Sequence, residues 1–469
     1  MMRRRIVLLL LAAFGGCAVG PDFHRPPLAP TAGYAREEVP YDREVLDAWW
    51  TLFASPQLDA LVANGVAASP SLAAAKAAWV ASEASIEAGR GVFFPQVDLG
   101  ASALRQRASR FAVGTAGTGV AFNLLTVGVA VKYAVDVFGG NRREVEKLAA
   151  DVDYQRALRD GAYLTLTGNL VNTAIANSAY VAQLHATDEV IALQRRQAAL
   201  LEAQWQGGTV AFASVAAARF QLAQTEASES VLRKQLADAG NLLATLSGKT
   251  PAEWSAAPVA FEDIKVPDRL PVSLPSDLVR QRPDILAAEA GLHAASAQVG
   301  IATAALFPSV TIGADAGFDA PDARTLGKPA SRTWSVGPTL DVPLFSGFSG
   351  IHARDAARAQ YEQALDDYRQ TVVNAFGEVG DALAAVRHDG DIEAAQRVAY
   401  DQASRQRGLA AANRAAGLSS ELQEIAAGVQ LEEARIGLVQ ARALRLQDST
   451  ALLLALGRPW SDPSAEPRP

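Results

Sequence analysis

Apolar residues alternate with small or polar ones along four short stretches of the chain. From Thr126 to Val137 the odd positions are Val127, Val129, Val131, Tyr133, Val135 and Val137, and the even positions are Thr126, Gly128, Ala130, Lys132, Ala134 and Asp136. A period of two predicts a strand with one wholly apolar face. Val97, Leu99, Ala101 and Ala103 oppose Gln96, Asp98, Gly100 and Ser102 in the same way, and Val310, Ile312, Ala314, Ala316 and Phe318 oppose Thr311, Gly313, Asp315 and Gly317. Trp334, Val336, Pro338, Leu340 and Val342 oppose Ser335, Gly337, Thr339 and Asp341. The pattern predicts strands near 94–106, 122–138, 308–319 and 332–345, with the length and dyad alternation of an outer-membrane barrel. A soluble four-stranded meander over a helical layer shares that alternation.

Elsewhere the period is helical. None of the 23 prolines lies between Pro95 and Pro251 or between Pro343 and Pro459, and those windows are rich in Ala, Leu, Gln, Glu and Arg. Strong helix formers without an interior breaker predict long helices. Residues 141–206 make one helix of roughly 100 Å at about 1.5 Å per residue. Gly207-Gly208 interrupts it, and a second helix returns from Thr209 to Leu246. The other half repeats this around Ala415-Ala416-Gly417. After that turn, positions 418, 422, 425, 429, 432, 436, 439, 443, 446, 450 and 453 step by four and three, with only Glu432 and Thr450 polar. A sustained 3.5-residue period implies left-handed coiled packing. Burial in a soluble bundle explains each position but not the length, since an ordinary helix has about three turns.

The two halves are copies. FFPQVDLGA from Phe93 recurs as LFPSVTIGA from Leu306, a shift of 213, and shifts of 207 and 209 carry Gly140 onto Gly347 and Gly208 onto Gly417. The chain therefore divides into a first repeat over 48–250, a linker over 251–282, a second repeat over 283–459 and a tail over 460–469. Each repeat holds a helix, two strands and a helical hairpin, at 140–247 and 347–456. The fold class is mixed and mainly α, with four strands per chain. Four strands cannot close, and open edges are not tolerated in hydrocarbon. Two copies would make eight strands, which their own side chains fill; three make twelve and leave a lumen.

Composition removes several functions. A net charge of -7 leaves no basic footprint for nucleic acid. The single cysteine cannot form an internal disulfide or a thiolate metal site. It follows Arg3 to Arg5, an apolar run from Ile6 to Phe14, and Gly15-Gly16. That order is a signal peptide over 1–16 with a lipobox-like FGGC, so Cys17 becomes an acylated mature N-terminus. Residues 17–47, with five prolines between Pro21 and Pro40, form an extended tether.

Chemistry is otherwise sparse. Ser247-Gly248-Lys249-Thr250 imitates a phosphate loop, but Leu243 stands where its first Gly belongs, and a helix C-terminal glycine before Pro251 explains it better. His24, His185, His293, His352 and His388 have no metal-ligand spacing, and no nucleophile-base signature is present, so neither an enzyme nor a cofactor beyond the Cys17 lipid is expected. Asp98, Asp136, Asp315 and Asp341 fall on the polar register and would face a lumen, favouring cations. Asp136 and Asp341 lie near strand-to-helix junctions, where bonding to local backbone is an equal alternative.

CAVGPDFHRP from Cys17, WWTLFASPQLDALV from Trp49, LPSDLVRQRPDI from Leu274, YAVDVFGG and LDVPLFSG together resemble the TolC-like outer membrane factor family, in its NodT-type lipoprotein efflux branch. The resemblance covers essentially the whole mature chain. It implies a homotrimeric passive duct, anchored in outer membrane lipid. A twelve-stranded barrel would stand above a periplasmic α-barrel, with a mixed girdle around 250–275 and the chain termini. It implies efflux of small amphipathic compounds, driven by an inner-membrane RND-type pump through a periplasmic adaptor (membrane fusion) protein. Gly208, Thr209, Gly417 and Leu418 would be the periplasmic tips that meet the adaptor. Many relatives carry Asp six residues after each tip glycine; Ser214 and Gln423 stand there here, which leaves Glu421 or Glu424 to latch the tips. A duct for type I protein secretion and a purely structural envelope lipoprotein are the alternatives.

Overall fold

A computed structural model describes residues 18–27, 48–109, 119–255, 259–267 and 279–457. The expected signal peptide, Cys17, most of the expected tether and the C-terminal tail lie outside the described residues. Helices α1 (Pro56–Ala68) and α2 (Pro70–Arg90) lead to β1 (Gln96–Ala108) and β2 (Val120–Val135). α3 (Gly140–Gln206) and α4 (Phe212–Leu246) follow as a hairpin. The second half runs α5 (Pro283–Ala304), β3 (Ser309–Ala320), β4 (Arg332–Asp341), α6 (Ser349–Ala415) and α7 (Glu421–Ala455). α3 and α6 each have 67 residues, and α4 and α7 each have 35, so the duplication extends to element length.

The chain gathers into two compact units, each drawing on both repeats. One comprises residues to 27, 78–156 and 287–369, and holds the sheet. Its strand order is β1-β2-β3-β4, antiparallel throughout. The register confirms a shared apolar face. Val97 pairs with Val131, Val131 with Ala314 and Ala314 with Val336; Leu99, Val129, Ala316 and Trp334 form the adjacent row. Among the described residues, β1 and β4 each keep one edge without a strand partner. Leu99 and Trp334 are more than three-quarters exposed, on the face that alternation reserves for lipid.

Two strands end earlier than the alternation predicts. β2 stops at Val135, because Asp136 turns back to accept the backbone N–H groups of Asn141 and Arg142, both at 3.1 Å, at the start of α3. β4 stops at Asp341, and Pro343, which has no N–H for a ladder, follows closely.

The other unit comprises 28–77, 157–286 and 370–469. Its core joins Trp49, Trp50 and Phe53, in a short 3-10 turn, to Leu166, Leu170 and Ile175 of α3 and Leu446 and Leu453 of α7. Val259, Phe261 and Ile264 enter the same cluster, and Lys265 N–H bonds to the Phe53 carbonyl at 2.9 Å. Burying Phe53 and Leu170 fully contributes about 1.5–3 kcal/mol each. Along α7 no position of the apolar stripe from Leu422 to Leu453 is exposed, whereas Leu418, in the turn before the helix, is. Glu432 is the costly member of that stripe: burial raises its pKa, and its Oε2 has no hydrogen-bond partner, with Arg435 Nη1 at ion-pair distance of 3.7 Å.

Candidate channel lining and helical tips

The face of the sheet opposite the apolar rows carries its polar chemistry. Asp98 pairs with Ala130 and Ala130 with Asp315, so the two carboxylates share one row, separated by a single small residue. Ser335 Oγ donates to Asp315 at 3.1 Å. Asp319 lies on the same register and accepts from Thr126 Oγ1 at 2.7 Å. Extending the alternation of β3 by one step past Phe318 would have included it. Asp341 closes β4 opposite Ser309. Asp136 does not belong with these residues. It lies outside β2, and besides the two N–H groups it holds Arg142 Nε at 3.1 Å, so it stabilises the first turn of α3 as an anion at a helix N-terminus.

Aromatic side chains mark one end of the sheet. Antiparallel pairing brings the start of β1, the end of β2, the start of β3 and the end of β4 together. Phe94, Phe307 and Phe345 flank those ends and are exposed, and Phe138 stacks on Phe307 with centroids 4.7 Å apart. An exposed aromatic band beside an apolar strand face has the composition of a membrane–water interface.

The two hairpin turns have the same construction. At the first, Gly208 has φ +73, its N–H bonds to Trp205 O, and Thr209 N–H bonds to Gln204 O. At the second, Gly417 has φ +73, with Gly417 N–H on Arg414 O and Leu418 N–H on Asn413 O. Both are Schellman motifs, in which a left-handed residue satisfies the last helical carbonyls. Beyond the glycines the turns diverge. The first presents Trp205 and Phe212, ring centroids 5.1 Å apart and both exposed. The second leads to a capping box: Ser420 Oγ accepts from Gln423 N–H, and Gln423 Oε1 accepts from Ser420 N–H. Gln423 is thus occupied with starting α7. Ser214 N–H bonds to Ala211 O, one turn into α4.

Glu421 and Glu424 sit in a cluster of arginines. Glu421 takes Arg414 at 2.6 Å and also pairs with Arg196 of α3; Glu424 takes Arg407 at 2.8 Å and Arg414 at 3.2 Å. The guanidiniums hold both carboxyls below their ordinary range, through Arg414 for Glu421 and Arg407 for Glu424. Sequence spacing could not have paired Arg196 with Glu421, 225 residues away, whereas Arg414 and Arg407 stand only 7 and 17 residues from their carboxylates, across the turn.

A model of outer membrane efflux proteins matches residues 62–249 and 274–458. The chain belongs to the outer membrane efflux protein family. It is 30% identical over 449 residues to the pyoverdine export outer membrane protein OpmQ of Pseudomonas putida, covering 92% of this chain and 93% of that one. To the probable efflux pump outer membrane protein TtgC of the same species it is 27% identical, over 99% and 98% of the two chains. The solved outer-membrane channel OprN superposes with a TM-score of 0.85 at 28% identity, over 95% of this chain and all of that one. The Campylobacter jejuni CmeC channel, at 19% identity, shares the fold with a TM-score of 0.85. The family member described here is an outer membrane efflux channel that extends into the periplasm.

Proposed function

We propose that three copies of this chain close one barrel and serve as the exit duct of a tripartite efflux system. The observation that carries this reading is the sheet, which has a continuous apolar face and, among the described residues, two edge strands each open on one side. Unpaired backbone in hydrocarbon costs several kcal/mol per group, and β1 of one copy pairing with β4 of the next removes both edges. Acylation of Cys17 would add a lipid anchor. Asp98, Asp315 and Asp341 would line the lumen and favour cations, whereas Asp136 would contribute less because α3 holds it. The duct itself performs no reaction and needs no cofactor beyond the lipid; an inner-membrane RND-type pump would supply the work through a periplasmic adaptor. Small amphipathic compounds are the cargo of this reading, which relatives named for solvent efflux and pyoverdine export support.

Thr209 and Leu418, with the exposed Trp205 and Phe212, are the residues that would meet the adaptor. Photo-crosslinkers at Thr209 and Leu418 in living cells test this assignment. Capture of an adaptor together with a proton-driven pump is expected. An adaptor with an ATP-driven exporter would move the function to polypeptide secretion, and no capture at either turn would overturn the placement of the tips. Purified protein in a planar bilayer should give discrete conductance with cation preference, and the Asp98→Asn, Asp315→Asn double variant should reduce that preference severalfold.

A further inference from the structure

Residues 18–25 are held against the strand-bearing unit more firmly than a tether requires. Arg143, on the first turn of α3, is 5% exposed. Its guanidinium donates to Asp22 Oδ1 at 2.8 Å, Glu146 Oε2 at 2.7 Å, Val19 O at 3.3 Å and Gly20 O at 3.5 Å. Three of the four acceptors of this buried cation therefore come from the N-terminal segment, more than 120 residues away. A buried guanidinium without acceptors is strongly unfavourable, so Arg143 and the segment stabilise each other. Asp22 is itself mostly exposed, and Arg143 holds its carboxyl below the ordinary range.

The backbone is shaped for this contact. Gly20 has φ +98, and a Cβ there would lie 2.5 Å from Gly300 Cα. A Cβ on Gly300 would meet Arg143 Cδ at 2.8 Å, and a Cβ on Gly139, at φ +80, would meet Ala18 Cα at 2.5 Å. Val19 N–H bonds to Phe138 O at 3.0 Å. A second clasp follows: Phe23 stacks on His293 with centroids 4.4 Å apart, and His293 Nε2 lies 3.0 Å from Glu146 Oε1. Glu146 thus joins both clasps through its two carboxylate oxygens. Arg25 then pairs with Glu289 at 2.6 Å.

This segment buries little apolar surface, since Phe23 is its one large hydrophobic side chain in the clasps. What it fixes is the position of Ala18, against Phe138 and Gly139. Those residues stand at the end of the sheet marked by Phe94, Phe307 and Phe345. We propose that residues 19–25 form a strap, with Arg143 as its positioning residue, that sets where the acylated N-terminus leaves the protein and pins the lipid at the level of the aromatic band. The inference rests on acylation of Cys17. Cys17 is one Cα step of about 3.8 Å from Ala18. A free tether of ten residues would instead wander by about 5–6 Å × √n, roughly half the thickness of a bilayer core. The strap removes that freedom, so anchor and sheet enter the membrane at one fixed offset.

The experiment uses full-length protein purified from outer membranes and placed in liposomes, with spin labels on Pro21→Cys and on the exposed Ala88→Cys of the same unit, diluted with unlabelled chain. The wild-type chain should show no reactive thiol, because acylation blocks Cys17. Double electron–electron resonance between the two labels should give one narrow distance distribution. Gly300→Val, which fills the seat of Arg143, should broaden that distribution at least threefold with the thiol count unchanged. Asp22→Ala with Phe23→Ala opens the strap from its own side, without touching the helices, and should do the same. A distribution as narrow as that of the parent in the Asp22, Phe23 double variant would overturn the strap. A reactive Cys17 thiol in the wild-type chain would overturn acylation, and the inference with it.

Discussion

Asp389 of α6 is buried, and its Oδ2 has no hydrogen-bond partner. Burial first, and the neighbouring Asp448 of α7 second, push its carboxyl up to about 6, against the opposing pull of Arg445 and His388. Arg445 is committed to Glu393 at 2.9 Å, which leaves the aspartate pair short of positive charge. Because the folded chain binds this proton more tightly than the unfolded chain, the contribution of Asp389 to stability is full below about pH 4. It is lost as pH rises through about 6. Asp389→Asn should therefore raise the thermal midpoint at pH 7.5 by the equivalent of about 1–2 kcal/mol and flatten its dependence between pH 4 and 6. Thermal melts followed by far-UV circular dichroism across that range check both outcomes. Glycines at similar φ, +73 at Gly417 and +68 at Gly248, are not equal in cost. Nothing lies within 4 Å of a Cβ built on Gly417, so Gly417→Ala should cost only the left-handed strain, about 1 kcal/mol. At Gly248 the new Cβ would run into the Ala68 carbonyl, and the same melts should show a larger loss.

At the scale of elements, the hairpins show how one sequence unit acquires two surfaces. Both turns close by the same hydrogen bonds, yet only the second is braced by Arg196, Arg407 and Arg414. In water an exposed ion pair contributes about 0–1 kcal/mol, so the network matters less for folding than for fixing where α7 starts relative to α3. If it holds the second tip closed, Glu421→Ala with Glu424→Ala should raise channel leakage severalfold in bilayer recordings. Unchanged leakage would remove both residues from any latch. High salt should mimic the double variant in part, since screening acts on exposed pairs.

At the scale of the whole molecule, the sheet is the part that cannot be complete in one chain. Its apolar face meets lipid, so Val129→Arg, near the middle of β2, should cost about 2–4 kcal/mol and lower the yield of membrane-inserted channel. Ser102→Arg on the opposite face should insert normally. Fractionation of outer membranes with both variants side by side tests which face meets hydrocarbon.

Much of this architecture could be read in advance because periodicity is local. Alternation over ten residues states which face of a strand is apolar, and a proline-free run rich in Ala and Leu states that a helix continues; the structure has four strands and two helical hairpins, with β2 and β4 ending before the alternation does. The 3.5-residue stripe of α7 likewise named its packed face. What remained illegible depends on partners remote in sequence. Asp136 could be assigned to a strand face or to a helix start, and only the position of α3 decides for the helix. Arg143, Arg196 and Asp389 carry no local signal, since their charge is matched or left unmatched by groups that folding brings from distant segments. Pattern reports burial against a face, whereas pairing of charge requires coordinates.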